Sequence, residues 1–162
     1  MGKETRYPRV ALLTDREPPR GLSVYQSIPE MVEFRRLEKP PLRMRTIGMG
    51  RLAVMVDVDC GELAGLQSYV KTGRWRTEGT EAPPVPDARG VLTFPRAGEA
   101  EDLAYFPAEP RYLWHEGSAS LRIAIAEGTA LVFEVADCLL AGVDREGAIS
   151  DFWMLDLDLR VG

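Results

Sequence analysis

At 162 residues, with 45% hydrophobic and 28% charged side chains, the chain suits one domain, 1–162, folded around a core; disorder, collagen-like sequence and a disulfide scaffold are excluded. The net charge of −5 is unevenly placed: residues 1–76 carry 14 basic and 9 acidic side chains (+5), and residues 77–162 carry 6 and 16 (−10). Such a split marks an interaction surface or two halves that neutralise each other on folding; with no detached basic arm, the second is expected.

Residues 8–14, with Val10, Leu12 and Leu13, read as a first strand, and Asp15 to Gly21, with Pro18 and Pro19, as a loop. Ser27-Ile28-Pro29-Glu30 has the form of a helix start. Ser27 can cap, Pro29 sits where its missing N–H is harmless, and Glu30 follows three residues after the cap. Ile28, Met31 and Val32 would form its apolar face, and Pro40-Pro41 would end it. Residues 43–47 and 51–60 read as two strands joined at Gly48-Met49-Gly50. In the second, Val54, Val56, Val58 and Cys60 alternate with Met55, Asp57 and Asp59. Leu63, Leu66 and Val70 then share one face of a short helix over 62–71.

Residues 78–90, with Pro83, Pro84 and Pro86, lack an apolar period and are expected as a flexible loop or subdomain linker. Pro95 to Pro110 reads as irregular, with room for one helical turn. From Arg111 onward the chain reads as a meander: Tyr112 to His115, Leu121 to Ala126, Ala130 to Val143 and Ala148 to Arg160, with a turn at Asp144-Arg145-Glu146-Gly147. The apolar phase slips inside 130–143, from odd Leu131, Phe133 and Val135 to even Cys138 and Leu140. A bulge near Ala136 or Asp137 is expected to hold them on one face. In the last strand Trp153, Leu155, Leu157 and Leu159 are expected to face the core, and Phe152, Met154, Asp156 and Asp158 the other side.

Few residues suggest chemistry. Asp57 with Asp59, and Asp156 with Asp158, each put two carboxylates on one strand face; neighbouring strands would give a hard cation oxygen ligands. The plainer reading is the solvated face of a one-sided sheet. His115 is the only histidine, beside Trp114 and Glu116. It can serve as a general base but cannot build a multi-histidine zinc site. Cys60 and Cys138 lie in apolar runs next to aspartates, a setting for buried free thiols rather than nucleophiles. Arg35, Arg36, Lys39, Arg43, Arg45 and Arg51 form a basic cluster without interleaved aromatics, which suits an acid-paired or solvated face better than nucleic acid.

Gly73-Arg74-Trp75 resembles, over these three residues, the Gly-x-Trp signature of lipocalin-like barrels. That resemblance implies a Trp plugging one end of a barrel. Only 87 residues follow Trp75, scant length for eight strands, and the chain is not assigned to that family.

The elements together predict an α+β fold: a largely antiparallel, barrel-like sheet with one or two short helices. The start of the chain leads into no apolar h-region, no run is long enough to span a bilayer, and Arg6 stands where a myristoylation signal needs Ser or Thr. A cytoplasmic protein with no membrane partner is therefore expected. The function expected first is a non-enzymatic protein-interaction or self-associating module, a homodimer included. The alternative is a small-molecule binding or hydrolase-like pocket in a curled β-sheet, using Arg74, Trp75, Trp114 and His115. No catalytic residue, metal ligand or cofactor is assigned.

Overall fold

The computed structural model describes residues 7–95 and 105–160. Their helical content is two three-residue 3₁₀ turns, Thr72–Arg74 and Glu116–Ser118. The first half forms β1 (Ala11–Leu13), β2 (Gly21–Ser27), β3 (Glu30–Arg36), β4 (Met44–Met49), β5 (Leu52–Asp57) and β6 (Leu63–Tyr69). The second forms β7 (Ala88–Arg89), β8 (Val91–Thr93), β9 (Tyr105–Phe106), β10 (Arg111–His115) and β11 (Ser120–Ala124). It continues with β12 (Leu131–Ala136), β13 (Leu139–Val143), β14 (Ile149–Met154) and β15 (Asp158–Arg160).

These strands make a seven-stranded sheet, β15-β2-β3-β6-β5-β4-β9, a six-stranded sheet, β10-β11-β14-β13-β12-β7, and a two-stranded ribbon, β1-β8. Pairing is antiparallel except at β15–β2, β12–β7 and β4–β9. None of the sheets closes into a barrel, so the expected α+β class and barrel-like sheet are both corrected to a nearly all-β architecture. The two large sheets share one core. Val32, Phe34, Ile47, Val54 and Leu66 come from one, and Leu121, Ile123, Leu139, Phe152 and Met154 from the other. This is the layered solution for sheets that each have an apolar face to hide.

Both expected helices are strands. The segment from Ser27 reverses at a cis Ile28–Pro29 bond, and Tyr25 pairs with Val32 and Ser23 with Phe34 across the β2–β3 hairpin. Val24 and Tyr25 on one side and Val32 and Phe34 on the other are β-branched or aromatic, residues that fill a pleated surface well. Residues 62–71 form β6, which lies between β3 and β5. Leu66, Ser68 and Val70 are buried while Tyr69 is exposed, so the strand alternates. A bulge at Ala64, opposite Met55 and Val56, returns Leu63 to the same face as Leu66, and that i, i+3 spacing imitates a helix.

Two readings of the second half also change. Residues 130–143 are a hairpin, not one bulged strand. The chain turns at Asp137-Cys138, and β12 pairs with β13 through Leu131↔Val143 to Glu134↔Leu140, with a register irregularity between Glu134 and Ala136. The reversal produces the phase slip. The C-terminal strand is likewise broken. β14 ends at Met154, Asp156 takes a left-handed backbone (φ 48°), and β15 joins the other sheet beside β2. Phe152 and Met154 therefore enter the shared core, and Trp153 packs outside it with Val132, Leu140 and Leu155. Leu157 is buried as expected, but Leu159 is 52% exposed. Part of the stretch read as irregular, 96–104, lies outside the described residues. No helix among the described residues is long and apolar enough to cross a membrane.

Candidate functional site

The four residues singled out in the sequence are placed in three settings. The 3₁₀ turn Thr72–Arg74 leads into Arg76, which bridges to the edge of β10. Arg76 N–H donates to the Tyr112 carbonyl at 2.8 Å, and Trp114 N–H donates to the Arg76 carbonyl at 2.8 Å. Trp75 points inward, its ring centroid 5.3 Å from that of Trp114 and 5.2 Å, edge-on, from that of Tyr25. The two tryptophans are thus brought together as core. Trp75 Nε1 is buried without a hydrogen-bond partner among the described residues, and Trp114 Nε1 donates to Glu116 Oε2 at 2.6 Å.

His115 fixes a turn. Its Nδ1 accepts the Ser118 N–H at 3.1 Å and lies 2.6 Å from Ser118 Oγ, which in turn lies 2.6 Å from Ser120 Oγ. His115 and Ser120 face each other where β10 turns into β11. The ring nitrogen next to the serine caps the 3₁₀ turn that joins these strands.

Arg74 lies on the outward face, and so does Arg76. Both line an open cleft of about 810 Å³, with Arg51 from the β4–β5 turn and Arg111 from β10. All four arginines are exposed, and none forms an ion pair with another described residue. Glu109 is the acidic residue among the described lining side chains. Tyr105, at 62% exposure, and buried Tyr112 complete the polar wall.

The backbone holds this geometry closely. Gly50 has φ +61°, and a Cβ there would collide with the Ala108 carbonyl oxygen, so the turn that carries Arg51 seats directly on the 105–111 segment. Ser68 Oγ donates to the Arg51 carbonyl at 3.0 Å. That commits its one proton, so the Tyr112 hydroxyl donates to Ser68 and keeps only acceptor lone pairs free. Burial raises the Tyr112 phenol above its usual pKa.

A second hollow of about 630 Å³ adjoins the cleft across Arg76 and Arg111. Its acids are Glu78 and Glu81, and its further arginine, Arg122, is already spent on Asp151, with Nε and Nη2 at 3.0 and 2.7 Å from Oδ2. Positive charge therefore concentrates in the first cleft.

The remaining candidates do not converge. β2, β3 and β6 separate β5, which carries Asp57, from β15, which carries Asp158. Asp57 accepts the Asp59 N–H at 2.7 Å and the Cys60 N–H at 3.3 Å, and the Asp59 bond leads in holding its carboxyl below the usual range. No group of three or more His, Cys, Asp or Glu among the described residues could hold a metal. Both cysteines are free, and burial raises both thiols, Cys138 to about 11. In the basic cluster Arg36 pairs with Glu38 and Glu62, Arg43 with Asp59, and Arg45 donates to the Pro95 carbonyl; Arg51 alone of that run reaches the cleft.

Sequence reasoning missed Arg76 and Arg111 as partners of Arg74. The available signal was period 2 in β10, where Arg111 alternates with buried Tyr112 and Trp114. No family model matches this chain, and no curated protein matches it in sequence.

Proposed function

We propose that this chain is a non-enzymatic binding protein whose arginine-lined cleft takes a small anionic ligand bearing phosphate or carboxylate groups. One observation supports the reading: Arg51, Arg74, Arg76 and Arg111, drawn from three chain segments, surround one cleft without an ion-pair partner among the described residues. Like charges repel, and guanidinium forks match carboxylate and phosphate oxygens in pairs. An anion among them relieves the repulsion. The volume of about 810 Å³ lies in the range of small-molecule sites.

Thermal unfolding with inorganic phosphate and citrate tests the proposal. Binding to the native state should raise Tm by about 5–10 °C at a hundredfold excess over Kd. The double variant Arg74→Ala/Arg111→Ala should lose the rise, and Arg43→Ala, whose partner Asp59 lies elsewhere, should keep it. No anion-dependent rise, or a rise unchanged in the double variant, overturns the proposal.

A second reading, a self-associating module, draws on the loop after β3. Leu42 is 93% exposed, with Leu37 and Met44 about half exposed near it. Clustered exposed apolar side chains mark interaction surfaces. Sedimentation equilibrium of the wild type and Leu42→Ser tests this: a dimer weakened by the substitution supports it, and a monomer at all concentrations removes it.

A further inference from the structure

Resting on that anion-binding reading, we infer that the ligand is a nucleotide: a phosphate ester whose planar base lies against Tyr105 and whose hydroxyl or amino donors meet Glu109. An inorganic ion would need the arginines only. The cleft offers more, and each addition points to a part of a larger molecule.

The first addition is Glu109, a carboxylate in a wall that carries four arginines. A carboxylate there weakens the attraction for any pure polyanion. It is useful only to a ligand that brings N–H or O–H donors along with its charge.

The second addition is Tyr105. β9 is a two-residue strand held parallel to β4 by Gly48↔Tyr105 and Met49↔Phe106. Phe106 turns into the core, and Tyr105 is left 62% exposed at the cleft. An exposed tyrosine has only two side-chain torsions to fix on binding, the property that makes aromatic side chains stacking platforms for bases.

The third observation limits length. Past Arg76 and Arg111 the surface carries Glu78 and Glu81, and Arg122 is neutralised by Asp151. A nucleic-acid strand or polyphosphate running out of the cleft would meet these carboxylates. A mononucleotide ends before them.

Calorimetric titration of the full chain with inorganic phosphate, ribose 5-phosphate, AMP and adenosine tests the inference. AMP should bind about tenfold or more tighter than ribose 5-phosphate, the size of one base–aromatic stack, and ribose 5-phosphate tighter than phosphate. Tyr105→Ala should erase the gap between AMP and ribose 5-phosphate without weakening phosphate, and Tyr105→Phe should keep it. Glu109→Gln should narrow the gap between ribose 5-phosphate and inorganic phosphate. Equal binding of AMP and inorganic phosphate, or a base increment that survives Tyr105→Ala, overturns the nucleotide and leaves the anion reading standing. If no phosphate-bearing ligand binds, the nucleotide falls, and the anion reading falls with it when citrate also leaves Tm unchanged.

Discussion

The Asp151 carboxylate has no exposed surface, yet three side chains reach it. Arg122 takes Oδ2 with two nitrogens, and Thr129 and Ser150 donate their hydroxyls to Oδ1 at 3.0 and 2.8 Å. Arg122 also lies over the Trp153 ring, 5.1 Å from its centroid. The two partners are unequal, because the Arg122 side chain is 37% exposed and can hydrate if left alone. Removing the arginine strands a buried charge, at a cost of about 3–5 kcal/mol. Thr129→Val removes one neutral-to-charged hydrogen bond and should cost about 1.5–3 kcal/mol. Urea unfolding of Arg122→Ala and Thr129→Val measures both. An Arg122→Ala variant no weaker than Thr129→Val would mean that water or another cation reaches the carboxylate.

The hairpins in the two sheets carry the same wording. Asp59-Cys60 sits in the turn after β5 and Asp137-Cys138 in the turn after β12, and each is followed by Leu-Ala-Gly, at 63–65 and 140–142. Both 52–69 and 130–143 turn back on themselves at these shared residues. The glycines of the two runs are forced by packing. At Gly142 a Cβ would collide with Asp151 Oδ1, and at Gly65 it would crowd Met55 Cε and the Phe34 carbonyl at 3.1 Å. Gly142→Ala should therefore cost about 1–3 kcal/mol, the range for overpacking a full site. Gly73→Ala, with nothing within 4 Å of its Cβ, should be neutral or stabilise by about 0.4–1 kcal/mol by restricting the unfolded chain. Thermal melts of the two variants check the contrast; similar losses would mean that strand pairing, and not Asp151, constrains Gly142.

The half-buried strands were legible for a related reason. β5 keeps Leu52, Val54 and Val56 in and Ala53, Met55 and Asp57 half out, so its period survives in the sequence. β14 is buried throughout and carries no period to read, and a bulge at Ala64 breaks the period of β6. The cleft was legible only at Arg74. Its other arginines are distant in sequence, and only the sheet topology brings turn 50–51, segment 74–76 and β10 together.

Two ion pairs join residues 1–76 to 77–162: Arg9–Glu146, at 3.7 Å, and Arg89–Glu17, at 3.2 Å. Part of the basic excess of the first half, Arg51, Arg74 and Arg76, lines the cleft. Stability should depend on pH through the core. The Cys138 thiol is raised by burial from 9.0 to about 11. In the unfolded chain it ionises near its ordinary value, so between the two pKa values the unfolded state holds fewer protons and native stability falls as pH rises. From pH 9 to 10 the wild type should lose about 1 kcal/mol more than Cys138→Ala, by the linkage of 1.36 kcal/mol per pKa unit. Urea midpoints at these two pH values read the difference; parallel losses would place the thiol in contact with water.

One strand also sets an order of events during synthesis. β15 seats beside β2, pairing Asp158 with Val24 across most of the sequence. A ribosome releases β2 long before β15 leaves the exit tunnel. Until then the outer edge of β2 presents unpaired N–H and C=O groups, the template on which nascent chains join one another. Residues 158–160 close the Val24–Gln26 part of that edge when they arrive.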